Sequence, residues 1–236
     1  MGIKERQVRD REAVRRAILD AARELFVVEG FQNVSIRKIA ERIEYSPAAI
    51  YGYFASKDDI FFALAEEGFR LLCDAGASPD HPDFQRLAPL DRVRAVFWHL
   101  YDFSREQPQY FALMFVDRSV PRISREYERF AFARERKHQI VEHIQTCIDA
   151  GALPRSVNPV VAMRLLTLGV LGVAVMRLSE RLVPGENADE LASDVLNVTL
   201  AGLQSGLALR STGMTACPMD DEQKSMVNSQ EVTVNS

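Results

Sequence analysis

A chain of 236 residues with 47% hydrophobic content is long enough for one or two globular domains and too apolar to be disordered throughout. Its net charge of −4 excludes a protein that coats nucleic acid uniformly. The charge is uneven, however: residues 1–57 hold 11 Lys and Arg against 8 Asp and Glu, a net +3, and the remainder holds 18 against 25, a net −7. A basic head on an acidic body suggests an anionic partner at the N-terminal end.

No segment alternates with period two, and no Asn-Gly or Asp-Gly hairpin occurs, so the expected fold class is all-α. Residues 1–10 are expected to be a flexible basic N-terminus. The first helix is expected from about Arg11 to Glu29, where Ile18, Ala22, Leu25 and Phe26 form an i, i+4, i+7, i+8 stripe and Gly30 stops it. A second helix should run from an N-cap at Ser35 to Ile43, with Ile36, Ile39, Ala40 and Ile43 inward. A third opens at Ser46, with Pro47 in the first helical position, and should end near Phe54. The fourth opens on a capping-box-like pair, Ser56 and Asp59, and continues through Ile60, Leu64, Phe69 and Leu72. "DAGASPDHPDFQRLAP", residues 74–89, reads as a linker by its Gly, Pro and Asp content.

The body restarts at Leu90, with Val93, Val96, Phe97, Leu100 and Tyr101 on one helix to about Gln107. Pro108 opens a short helix, a long one spans about Ile123 to Ala150, and Asn158-Pro159 caps another that is apolar nearly all round to Leu182. Asn187 and Glu190 cap a last helix to about Arg210. Residues 211–236 carry no apolar period and are expected to be a disordered tail. The most hydrophobic run, Leu165–Met176, has 12 uncharged residues where a membrane span needs ~20, so a buried helix and no membrane contact are expected. The start, "MGIKERQVRDREAVRR", has no apolar core of a secretory signal, and Cys73, Cys147 and Cys217 form no disulfide framework.

The second and third segments are separated only by "EYS", so the two short helices must cross steeply, as in a helix-turn-helix. Ala49, Ile50 and Phe54 form the apolar side of the third. Ser46, Pro47, Ala48, Tyr51 and Tyr53 form the other, a surface suited to duplex DNA: small residues allow close approach and tyrosine offers a hydroxyl to phosphate. Arg37, Lys38 and Lys57 add positive charge nearby.

The stretch "FQNVSIRKIAERIEYSPAAIYGYFASKDDIFFAL", preceded by "ILDAARELFVVEGF", resembles the DNA-binding domain of the TetR family of transcriptional regulators over about Arg11 to Leu72. The resemblance implies a DNA-binding domain over residues 11–73, with its helix-turn-helix at 34–53 and Ala48 to Phe54 in the recognition helix. It places Ser35, Arg37, Ser46, Ala48, Tyr51, Tyr53 and Lys57 at the DNA. The family usually has glycine where this chain has Glu44, so a shifted turn or weaker binding is expected.

For residues 90–210 the resemblance implies a helical domain that binds a small-molecule effector and dimerises. The helices 158–182 and 187–210 carry more apolar surface than one small domain covers, and Gly169, Gly172, Gly202 and Gly206 would allow close approach across a two-fold axis. Trp98, His99, Tyr101, Phe103, Tyr110, Met114, Phe115, Tyr127 and His138 are the candidate lining of a cavity for an apolar or aromatic effector. Any one of them alone reads better as ordinary core; it is the set, with the resemblance, that points to a cavity.

Catalysis is not expected. His138 and His143 are five apart and face different ways, and neither HExxH nor GxSxG occurs. No metal or cofactor is implied. The whole reads as a cytoplasmic bacterial homodimer, at the nucleoid when bound to a palindromic or near-palindromic operator, and most simply a repressor. A ligand-dependent activator, or a helical scaffold that has lost specific DNA binding, are the competing readings.

Overall fold

The structure, a computed structural model, describes residues 3–74, 82–117, 119–121 and 129–213. Those residues fold into helices without a strand. Helix α1 (Ile3–Glu29) begins eight residues earlier than expected. The Lys, Arg, Glu and Gln of residues 4–10 are good helix formers and extend it, aided by an Arg6–Asp10 pair one turn apart at 3.9 Å. The described part of the supposed flexible N-terminus is therefore helical. Gly30, at φ 80°, ends α1 and leads into a single 3-10 turn, Phe31–Asn33.

Helix α2 (Ile36–Arg42) and helix α3 (Pro47–Tyr51) follow, then α4 (Lys57–Asp74). Ile18, Ala22 and Phe26 of α1, Ile39 and Ala40 of α2, Ile50 of α3 and Ile60 and Leu64 of α4 are all but inaccessible to solvent. This buried set is why two helices of seven and five residues hold their shape: neither is long enough to persist alone.

The expected linker at 74–89 is not wholly irregular. Pro82–Arg86 forms α5, and its Phe84 is buried beside Val96 and Ile140; residues 75–81 lie outside the described residues. Helix α6 (Pro89–Glu106) leads through Gln107 into α7 (Pro108–Phe111), which widens into a π-helical segment, Ala112–Val116. Helix α8 covers Ala131–Asp149; the part of it expected from Ile123 falls largely outside the described residues, as does most of the expected tail. Helices α9 (Pro159–Leu178) and α10 (Ala188–Gln204) complete the body. Both start on the expected caps: Asn158 accepts from the amides of Val160 and Val161, and Asn187 from those of Asp189 and Glu190. Both end sooner than expected, because Glu180 (φ 53°) and Gly206 (φ 72°) turn left-handed just beyond them.

By length and composition α9 could cross a bilayer, with a mean hydropathy of 2.0. It instead packs on α6, α8 and α10, and its Arg177 donates to the Ser104 carbonyl at 2.5 Å. Only 39% of its apolar window is buried, however. Leu168 and Met176 remain exposed, as does Val198 on α10.

Candidate nucleic-acid interface and effector cavity

The turn between α2 and α3 is made by the residue that sequence reasoning found most awkward. Glu44 adopts φ 59°, the left-handed conformation that glycine would supply. The Tyr45 amide then donates back to the Ala40 carbonyl at 2.9 Å and the Glu44 amide to Glu41 at 3.3 Å, the paired bonds of a Schellman ending. The expected shift of the turn does not occur. The left-handed residue costs about 1 kcal/mol relative to glycine, which the surrounding helix packing offsets.

Ser35 and Ser46 close the two helix starts, accepting from the Lys38 and Ala49 amides, each at 3.2 Å. Pro47 opens α3, as expected. The exposed surface of this region comprises Ser46, Pro47, Ala48 and Tyr51, joined by Tyr45, which was not foreseen. Tyr51 is 57% exposed. Tyr53 differs: α3 ends at Tyr51, so Tyr53 falls in the following turn and packs partly buried against the core, with the Arg11 guanidinium 5.5 Å from its ring centre.

The candidate cations are also sorted by the fold. Arg37 is exposed and pairs with Glu41 one turn on, at 2.7 Å, which holds its guanidinium above its ordinary pKa. Such a surface pair is weak and exchangeable. Lys38 pairs with Glu29 and reaches the Asn33 carbonyl. Lys57 is drawn inward: its ammonium donates to the carbonyls of Phe31 (2.7 Å) and Val34 (2.9 Å) and lies 4.1 Å from the Phe31 ring centre. Burial lowers its pKa. With two of three donors committed, Lys57 is a clamp on the chain entering α2 before it is a phosphate ligand.

In the body, α4, α6, α8, α9 and the π-helical segment enclose a cavity of about 310 Å³. Of the candidate lining residues, His99 and Phe115 border it. The other described candidates do not line it. Tyr101 is fully buried and donates to Asp189 at 2.7 Å, locking α6 to α10; burial and that bond push its phenol up to about 12. Trp98 stacks at an angle on Tyr101, and Phe103 is core. Tyr110 receives a bond from Arg23, Met114 sits over Gly68, and His138 is an exposed partner of Glu142. Tyr127 lies outside the described residues. The missed lining is Phe69, Leu72 and Cys73 of α4, Val96, Phe97 and Leu100 of α6, and Ala133, Arg136, Lys137, Ile140, Met163, Arg164, Thr167 and Leu168 of α8 and α9. Their spacings of three and four residues are present in the sequence, but most of them are not aromatic and nothing local marks them as lining.

Two elements connect cavity and helix-turn-helix. Helix α4 packs on α1 at one end and lines the cavity at the other, where His99 Nε2–H donates to the Leu72 carbonyl at 3.0 Å. The π-helical segment is the second. Phe115 faces the cavity, while two residues on Asp117 accepts from the Phe31 amide at 3.3 Å. The Ser119 carbonyl accepts from Gln32 at 2.9 Å. Arg23 of α1 meanwhile reaches Gln109 (2.9 Å) and Tyr110 (2.8 Å).

A three-helix head with a tight helix-turn-helix, joined by one continuous helix to a helical body with a cavity, is the architecture of a class of DNA-binding regulators. The description "Bacterial regulatory proteins, tetR family" matches residues 18–64, and "Tetracyclin repressor-like, C-terminal domain" matches residues 93–199. The chain belongs to the TetR family of transcriptional regulators. Over 55 residues it is 44% identical to an HTH-type transcriptional repressor, Rv1474c, of Mycobacterium tuberculosis, and over 53 residues 36% identical to the repressor AcnR of Corynebacterium diphtheriae. These matches take in 23% and 22% of this chain and only 29% and 28% of those proteins. The fold is similar to that of the regulator FadR from Bacillus subtilis, solved with stearoyl-CoA (TM-score 0.63, 15% identity, 79% of this chain and 97% of that one). It is also similar to PfmR from Thermus thermophilus (TM-score 0.62, 20% identity, 79% and 98%).

Proposed function

We propose that the protein is a homodimeric, cytoplasmic transcriptional repressor that leaves a near-palindromic operator when a small apolar effector enters the body. The observation that carries the DNA half of this reading is the outward face of α3, where Ser46, Pro47, Ala48 and Tyr51 are exposed while Ile50 beneath them is buried. Polar and small residues on a helix fixed from below suit a major groove. One such head reads few bases; two heads ~34–36 Å apart would span successive grooves.

The dimer is supported by what α9 and α10 leave uncovered. Leu168 (60% exposed) and Val198 (71%) lie on neighbouring helices, and a side chain added at Gly172 or Gly202 would meet nothing within 4 Å. A second copy of the same face would cover them as a four-helix bundle. Gly169 and Gly206, expected in the same role, serve the single chain instead: Gly169 admits Val195 of α10, and Gly206 makes the left-handed turn after α10.

Release would follow from the cavity's walls. An effector against Phe69 and Leu72 acts on the end of α4, and one against Phe115 acts on the segment whose Asp117 and Ser119 hold the Phe31–Asn33 turn. A ligand that fits one disposition of these elements better than the other shifts the population away from the DNA-binding one. A mobility-shift titration on the DNA upstream of the protein's own gene, run at several salt concentrations, tests the reading. Saturable binding that survives competitor DNA supports it; binding that is only non-specific and steeply salt-dependent favours the scaffold.

A further inference from the structure

The cavity's walls differ in chemistry from one side to the other. Helices α4 and α6 present Phe69, Leu72, Phe97 and Leu100. Helices α8 and α9 bring three cations, Arg136, Lys137 and Arg164, into the lining. No Asp or Glu is among the described lining residues. Lys137 and Arg164 are exposed and Arg136 is partly so, which puts the positive charge where the cavity meets solvent. His143, further along α8, responds to the same charge: burial first, then Arg136 and Arg92, hold its imidazole below the ordinary value.

We infer that the effector is an amphipathic anion, with an apolar chain or ring body against Phe69, Phe97 and Phe115 and a carboxylate or phosphate head at Arg136, Lys137 and Arg164. The inference rests on the reading of this cavity as the effector site and adds the ligand's charge. A volume of about 310 Å³ is at the small end for a ligand site, so it takes one apolar body and leaves a charged head at the rim. That placement avoids burying an ion, which is costly without full pairing. Guanidinium groups offer the paired donors that a planar carboxylate or a phosphate accepts. A cationic amphiphile would find no acidic side chain among the described lining residues, and a neutral one would leave these donors unused.

The test compares dodecanoate, below its micellar concentration, with dodecanol, below its solubility limit, on the full-length protein. Binding is read from the fluorescence of Trp98, the chain's single tryptophan, which neighbours Phe97 in α6. Dodecanoate is expected to bind at least ~10-fold tighter, with an advantage that shrinks as salt rises. Lys137→Gln together with Arg164→Gln should remove the advantage of dodecanoate over dodecanol. Ala133→Phe, which fills the cavity, should abolish both. Dodecanoyl-coenzyme A against dodecanoate then separates the sources of the anion: tighter binding of the thioester assigns it to phosphates, and tighter binding of the acid assigns it to a terminal carboxylate. Equal affinity for alcohol and acid, or an advantage that persists in the double variant, overturns the inference and leaves the cavity as an effector site. No binding of any of the three overturns both.

Discussion

Two surfaces of this chain lie uncovered, and they are built in opposite ways. The α3 face is polar or small, on a helix of five residues pinned by a buried isoleucine. The α9–α10 face is apolar, on helices of 20 and 17 residues. Water tolerates the first and disfavours the second. A short polar helix can wait for a partner that is met occasionally, whereas a long apolar face needs one that is always present. On the proposed reading the first waits for an intermittent polyanion and the second for a permanent second copy.

The largest expected effect comes from breaking the permanent surface. Val198→Asp, away from the cavity lining, should weaken dimerisation about 100-fold or more, since it would bury an unpaired carboxylate in the proposed interface at a cost of several kcal/mol. Sedimentation would read it, and operator affinity should fall with it. A dimer that persists would place the interface elsewhere. Within the same helix, Gly169→Val and Gly172→Ala should part company. A side-chain carbon at Gly169 would come within 2.5 Å of Val195 Cγ1, so this change should cost about 1–3 kcal/mol of stability in thermal melts. Gly172 faces open space in the single chain, and its alanine variant should fold normally.

At the intermittent surface, Tyr51→Ala should weaken operator binding about 10-fold with an unchanged melting temperature, the loss of roughly one bond to a charged group. Lys57→Met should do the reverse. It removes the clamp on Phe31 and Val34, so the melting temperature falls, while the slope of affinity against salt stays as it was. A salt slope reduced by about 1 in Lys57→Met would return this lysine to the phosphates. The smallest effect concerns acid. His143 titrates below its ordinary value when folded, so the unfolded chain binds its proton first, and folding free energy falls as pH drops below about 6.5. His143→Leu should remove that part of the slope between about pH 7 and 5 and, because Nε2 is buried with no hydrogen-bond partner among the described residues, should not destabilise at neutral pH.

What the sequence revealed follows from how far each determinant reaches. Ser35, Ser46, Asn158 and Asn187 act on amides two or three residues away, and each caps the helix it was expected to cap. The order of helices and the family followed from such local features. The settings of Lys57, Tyr53 and Tyr101 were not legible because they are made by residues distant in the chain: Phe31, Arg11 and Asp189. The cavity was the least legible part. Five elements meet there, and whether an aromatic residue faces inward depends on a helix's rotation by a fraction of a turn. Trp98 and Phe97 are neighbours in sequence, yet only Phe97 lines the cavity.

Glu44 bears on how such a switch is tuned. Its left-handed backbone keeps the turn in register while leaving a carboxylate exposed beside the face offered to phosphate. Glycine at this position would relieve the strain and delete the charge, and it is one base substitution away from either glutamate codon. In the proposed complex that carboxylate would oppose phosphate and hold the grip on DNA down. The effector's preference for the released form must outweigh the protein's preference for DNA, and every tenfold in operator affinity demands a further tenfold from the ligand. On the proposed reading, a lower operator affinity would lower the effector concentration needed for release.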